Sequence, residues 1–408
     1  MKKIIVVLIM LCSLFLIGCK SSDLPTDALI LDESSDLKRL NNVESLSLEK
    51  KNENIEEDFL KSLYSFSALT FKEIYDENII YSPISLYFAL AMLYEGTVDR
   101  AREELNQLMG ENRNLRYNLQ LIYKNNFYTN KKGTNKIANS FWVNDRYEVD
   151  EAYSKILEKY YYAEAFKTTF NEDALQEICK WINHQTGNLL EMKPDDLQLN
   201  SETILALINT LYFNNQWLNE FEKEKIYEGV FNYNTKVTYL NHQITSGYYK
   251  SEICQVAYDY YCNGNQIMYI MPNEGVTIQK VLNGDIFSLI NKVTRAKVNL
   301  TVPKFDIYSK LDLQEMLKKL GVKEIFNKYT TDITCVQGHN VYVDYVQQNA
   351  RIVLDEKGTK AAAVTIIGEK NTSVGPDKII EFKLDRPFIY VIFDSKNVPL
   401  FMGTVNKF

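Results

Sequence analysis

The chain has 408 residues, 46% hydrophobic and 24% charged, a balance that favours a globular protein with a large core over a disordered or fibrous chain. A formal net charge of −7 offers no basic face, so no nucleic-acid partner is expected, and the acidic balance mainly favours solubility. Three histidines (His184, His242 and His339) and six cysteines without CxxC pairs or metal-ligand spacing argue against a His-based triad or a metal centre; no cofactor is expected.

Met1-Lys2-Lys3 followed by the apolar run Ile4 to Ile17 has the pattern of a signal peptide, and the run is short for a permanent membrane span. It ends in Leu16-Ile17-Gly18-Cys19, which resembles a bacterial lipobox. Residues 1–18 are therefore read as a lipoprotein signal peptide, with Cys19 lipidated after cleavage and the protein held at the bacterial cell envelope. An ordinary signal peptide with a chance cysteine is the plainer alternative; Gly18 just before the cysteine and Lys20-Ser21-Ser22 just after disfavour it. Residues 19–54 are polar with few aromatics and are expected to form a disordered tether, leaving 55–408 as one folded domain.

Phe59, Leu63, Phe66, Leu69, Phe71 and Ile74 recur at helical spacing. Ser82 is placed to cap a helix with Pro83 at its first position, and the segment ending at Gly96 is apolar on nearly every side, which predicts a buried central helix. Further on, Asp312 and Glu315 make a capping pattern for a helix closed by Gly321. Val298, Leu300 and Val302 alternate as a strand, and two apolar runs flank Asp394-Ser395-Lys396-Asn397 as a terminal hairpin. Helices crowd the first half and strands the second without βαβ alternation, an α+β pattern. Cys179, Cys254, Cys262 and Cys335 are read as buried thiols. His184 is read as structural, and Lys131, Lys132 and Lys136 as a solvated loop rather than a polyanion site. No GxSxG or HExxH motif supports a surface hydrolase.

Several segments resemble serpins, in family order across the folded region. NIIYSPISLYFALAMLYEGT is similar to the stretch opening the family's buried helix, INTLYFNNQW to a main-sheet strand, and VPKFDIYSKLDLQEMLKKLGVKEIF to its strand-then-helix stretch. RPFIYVIFDSKNVPLFMGTV is similar to the terminal hairpin, and LDEKGTKAAAVT to the hinge of an inhibitory member. The resemblance implies a single domain with a large central sheet, further sheets, eight or nine helices and an exposed reactive loop. It implies a monomeric suicide-substrate inhibitor of serine proteases, and of cysteine proteases as a further class, rather than an enzyme. Ser82, Ser85 and Asn209 match the family's shutter, where Gln348 replaces a frequent histidine; Trp217, Lys304 and Glu356 match its breach. A plainer reading makes these a capping serine, a core asparagine, a core tryptophan and a surface ion pair. The alternative function is a non-inhibitory member acting as a surface binding module.

The hinge runs through Glu356, Gly358, Thr359, Ala361, Ala362, Ala363 and Thr365. If it entered a sheet, Thr359, Ala361, Ala363, Thr365 and Ile367 would share one uncharged face, because strand side chains alternate, with Glu369 on the same face near the solvent end. Lys360 would face the other way, and Gly358 supplies a flexible pivot. Counting the family spacing from Glu356 reaches the bond between Thr372 and Ser373. Counting back from Phe382 and Arg386-Pro387-Phe388 falls one residue later, and Asn371 and Lys370 also stand as alternatives. Thr372 suits elastase-like targets; Lys370 would suit trypsin-like ones.

Overall fold

The computed structural model describes residues 37–41, 53–131, 133–356 and 379–408, and of 5–16 the backbone alone. Among the described residues lie eight α-helices and 17 strands in an eight-stranded and a nine-stranded sheet.

The folding logic centres on helix Pro83–Tyr94. Ser82 is extended, its hydroxyl accepts the Ser85 N–H, and Pro83 occupies the first turn where no N–H is needed. Nearly every residue of this helix is buried, so it must be covered on all faces. It packs against strand Thr203–Asn215 of one sheet and strand Pro399–Val405 of the other, which makes it the core between them. Helix Glu57–Ile74 buries Phe59, Leu63, Phe66 and Phe71, but Leu69 is 49% exposed. Ser67 and Thr70 are buried on this helix instead, each hydroxyl bonding a carbonyl one turn back, at 2.6 and 2.8 Å.

The main sheet runs in the order Phe305–Asp312, Tyr342–Leu354, Ile5–Leu16, Thr203–Asn215, Gly133–Asn144, Ala163–Thr168 and Leu37–Arg39, with Phe127–Asn130 beside Gly133–Asn144. The backbone of Ile5–Leu16, the run read as a leader, thus lies in a slot parallel to both Tyr342–Leu354 and Thr203–Asn215. Those two strands therefore run parallel to each other, one strand's width apart, or roughly 10 Å.

The nine-stranded sheet runs Ile380–Lys383, Thr294–Pro303, Thr235–Lys250, Cys254–Tyr260, Gln266–Pro272, Phe388–Phe393, Pro399–Val405 and Ile79–Tyr81, with Tyr227–Phe231 beside Thr235–Lys250. The terminal hairpin turns on Asp394, whose buried carboxylate accepts the N–H groups of Lys396 and Val398 at 2.8 and 2.9 Å. Gly403 is required there. A Cβ at that position would lie 2.2 Å from the Ile79 carbonyl oxygen.

Four expectations need correcting. Within the stretch read as tether, Leu37–Arg39 forms an edge strand on Ala163–Thr168. Arg39 pairs with Glu164, and the Asn41 amide bonds both Ala163 and Ala165, continuing the ladder with a side chain. Asp312 is the last residue of its strand and accepts only the Gln314 N–H among the described residues, while buried Leu313 joins strand to helix Gln314–Lys319. Lys136 belongs to strand Gly133–Asn144, not to a loop. Cys262 is half-buried, unlike Cys179, Cys254 and Cys335.

Candidate functional site

The two strands bordering the slot carry the polar residues singled out from the sequence. Asn209 and Gln348 stand at the same level on opposite sides, both opposite residue 10. Gln348 clamps Ser82 at two points. Its Oε1 accepts the Ser82 N–H at 2.8 Å, and its Nε2 donates to the Ser82 carbonyl at 3.0 Å. Ser82 Oγ in turn donates to the Leu400 carbonyl at 2.7 Å, so the central helix start is tied to both sheets. Asn209 Nδ2 donates to Asn139 Oδ1 at 2.7 Å, and Asn139 Nδ2 to the Tyr161 carbonyl at 2.6 Å. Ser85 Oγ and Asn209 Oδ1 are buried without a hydrogen-bond partner among the described residues. Each such atom costs about 1–3 kcal/mol.

Gln348→Leu should leave the buried Ser82 N–H without its acceptor and lower stability by about 1–3 kcal/mol. Urea unfolding of the two proteins measures this, and an unchanged midpoint with an unchanged slope would refute the clamp.

The breach trio meets at the end of strand Tyr342–Leu354. Trp217 Nε1 donates to the Asp355 carbonyl at 3.1 Å, and Lys304 Nζ lies 2.5 Å from Glu356 Oε2. Lys304 is placed by its own N–H, which bonds the Thr238 carbonyl at 2.9 Å between two strands. The ion pair is partly exposed and worth at most about 1 kcal/mol. The indole is the stronger anchor, being buried and stacked on Tyr261 at 4.6 Å.

Gly358, Thr359, Ala361, Ala362, Ala363, Thr365, Thr372, Ser373 and Cys19 lie outside the described residues. Sequence reading missed Asn139, which carries the Asn209 contact to helix Glu151–Tyr161, and Tyr261, which backs Trp217. Asn139 left a weak signal only: it follows Ile137-Ala138 in a strand that also carries Asn135, Ser140 and Asn144, and a buried amide must find partners. Among the described residues no three His, Cys, Asp or Glu side chains converge to hold a metal.

A family model described as Serpin (serine protease inhibitor) matches residues 57–408. Mouse neuroserpin is 27% identical over 365 residues, covering 81% of this chain and 86% of that protein. An uncharacterized serpin-like protein of Methanosarcina acetivorans is 28% identical over 352 residues, covering 80% and 81%. The native structure of the thermophilic serpin tengpin superposes with a TM-score of 0.77 at 26% identity, covering 91% of this chain and all of tengpin. Human thyroxine-binding globulin shares the fold, with a TM-score of 0.70 at 21% identity over 85% of this chain and 97% of the globulin.

Proposed function

This chain belongs to the serpin family, whose members are mostly protease inhibitors rather than enzymes, and from that premise we propose that it traps serine proteases as a suicide substrate. The target's hydroxyl attacks the carbonyl carbon of Thr372. The bond to Ser373 breaks, the new amine leaves with a proton, and an ester joins inhibitor to protease. The freed hinge then enters the main sheet and carries the protease away before water reaches the ester. Loop insertion is this family's known form of strand addition, not a new deduction.

The observation that carries the reading is the slot between Tyr342–Leu354 and Thr203–Asn215. Their backbones pair with a strand lying between them, residue after residue on both sides. A segment reversing direction after Asp355 and Glu356 would enter that slot antiparallel to both neighbours, the more favourable pairing. The shutter polar atoms lie along its sides and the breach trio at the point where the loop departs. Elastase-like proteases are the favoured targets through Thr372, trypsin-like ones if Lys370 precedes the cut; cysteine proteases form a further class.

Incubation with a panel of proteases followed by denaturing gels tests the proposal. An SDS-stable covalent complex is the expected result. Neither complex nor inhibition would instead favour a binding module, and turnover of substrate a hydrolase.

We also assign the lipid anchor to Cys19, on the Leu16-Ile17-Gly18-Cys19 pattern, which places the inhibitor at a bacterial envelope. Cys19→Ala should move the protein from the membrane to the soluble fraction. If the variant sediments with membranes as fully as the wild type, the anchor lies elsewhere.

A further inference from the structure

Besides the core around helix Pro83–Tyr94, the protein has a second apolar core, and it lies across the slot. Helix Glu172–Gln185 brings Trp181 to it, strand Gly133–Asn144 brings Trp142 and strand Ala163–Thr168 brings Phe166. Trp142 is stacked on Phe166 at 4.1 Å and meets Trp181 edge-on at 6.4 Å. The same cluster reaches Ala206 and Ile208 on one border of the slot and Tyr345 on the other. Ala206 and Tyr345 both stand opposite residue 7 of the strand between them. Any change in the width of the slot at that level therefore changes the packing beneath the helix.

Strand Leu37–Arg39 closes this core at the outer edge of the sheet. Leu37 is 2% exposed and belongs to the same cluster. Arg39 lies over the Phe166 ring at 5.6 Å and pairs with Oε2 of Glu164. Oε1 of the same carboxylate accepts Trp181 Nε1 at 3.0 Å and Gln185 Nε2 at 3.3 Å, both from helix Glu172–Gln185. Glu164 thus joins the N-terminal strand to the helix through its two oxygens. Asn41 fixes the far end: its Nδ2 donates to the Ala163 carbonyl at 3.1 Å and its Oδ1 accepts the Ala165 N–H at 2.9 Å.

We propose that Leu37 and Arg39 are positioning residues for loop insertion: they strap helix Glu172–Gln185 across the slot and so set how readily its borders part. The consequence for inhibition rests on the loop-insertion reading above. Without Arg39 the largely buried Glu164 carboxylate loses its ionic partner, which is strongly unfavourable. The carboxylate would turn toward water and release Trp181 and Gln185. Without the Leu37 side chain the second core opens at its edge and loses packing. Either change loosens the helix over the slot, so uncleaved conversion to a loop-inserted form should accelerate.

The test uses the chain lacking residues 1–18, which the anchor assignment makes the mature length. It compares wild type with Arg39→Met, Arg39→Lys and Leu37→Ala, and with Lys38→Met as a control, because Lys38 is the exposed side chain of the same strand. The readouts are the denaturant midpoint and the rate of uncleaved conversion, followed by tryptophan fluorescence, since two of the three tryptophans lie in this core. Arg39→Met and Leu37→Ala should convert roughly tenfold faster than wild type, a barrier lower by about 1.4 kcal/mol. Arg39→Lys keeps the cation and should convert at close to the wild-type rate, as should Lys38→Met. A midpoint that falls in Arg39→Met and Leu37→Ala while conversion keeps its wild-type rate would overturn the proposal, for the strap would then only stabilise the fold. Conversion of Arg39→Lys as fast as that of Arg39→Met would overturn the role given to the ion pair. Failure of the wild type to inhibit any protease would strike the loop-insertion reading instead, leaving the conversion rates to judge the strap by themselves.

Discussion

Cutting the chain between Thr372 and Ser373 should raise its melting temperature, the reverse of what a nick does to an ordinary domain. The cleaved hinge would fill a slot whose borders already pair with a strand over the twelve residues of Ile5–Leu16. Each backbone hydrogen bond gained there contributes about 0.5–1.5 kcal/mol net. Ordering each residue costs about 1–2 kcal/mol, so the ladder alone does not decide the sign. The balance is tipped by burial of the Thr359, Ala361, Ala363 and Thr365 face. In a domain this large 1 kcal/mol moves the melting point by about 1–2 °C, so a net gain of a few kcal/mol appears as a rise of roughly 5 °C. The measurement belongs on the chain lacking residues 1–18, because Ile5–Leu16 would otherwise compete for the slot. Mass spectrometry of the released fragment fixes the bond. A fragment starting at Asn371 would move the cut to Lys370 and point to trypsin-like targets. A cleaved form melting at or below the intact one would remove the driving energy and leave the binding-module reading as the better one.

Local rules made much of this fold legible. The capped, all-apolar helix Pro83–Tyr94 and the buried alternation of Val298, Leu300 and Val302 each follow from residues a few positions apart. The terminal hairpin around Asp394 is read the same way. The edge strand at Leu37–Arg39 was hidden because its order depends on Ala163–Thr168, far along the chain. Its composition is that of a tether, and its partner makes it a strand. Asn209 was legible as a residue but not as a contact, since Asn139 lies 70 positions away. The packing of Trp217 was illegible for a like reason, since Tyr261, on which it stacks, lies in a separate segment. Leu69 shows the opposite failure: hydrophobic and near helical spacing, it lies at the rim of the buried stripe, where Ser67 and Thr70 find carbonyls to bond.

Thr359→Arg should turn the inhibitor into a substrate. Counting from Glu356, which is tied to Lys304, Thr359 would be the first side chain of an inserted hinge to face inward. An arginine there would have to lose its water between Tyr342–Leu354 and Thr203–Asn215, and an unpaired buried charge costs several kcal/mol. Cleavage chemistry should be untouched, because the proposed cut at Thr372 lies 13 residues on in the sequence, but entry of the hinge should slow. The outcome of each encounter is a race between insertion and hydrolysis of the ester. A barrier raised by about 1.4 kcal/mol slows insertion tenfold, and the burial cost exceeds that, so the moles of inhibitor consumed per protease should rise roughly tenfold or more. On a gel the covalent band fades and the cleaved inhibitor accumulates. Lys360→Arg is the control. Its side chain falls on the opposite face of the strand, so the same guanidinium one position later should leave the stoichiometry near that of the wild type. If both variants fail alike, the face assignment is wrong. If Thr359→Arg inhibits with unchanged stoichiometry, this hinge does not enter the sheet during inhibition.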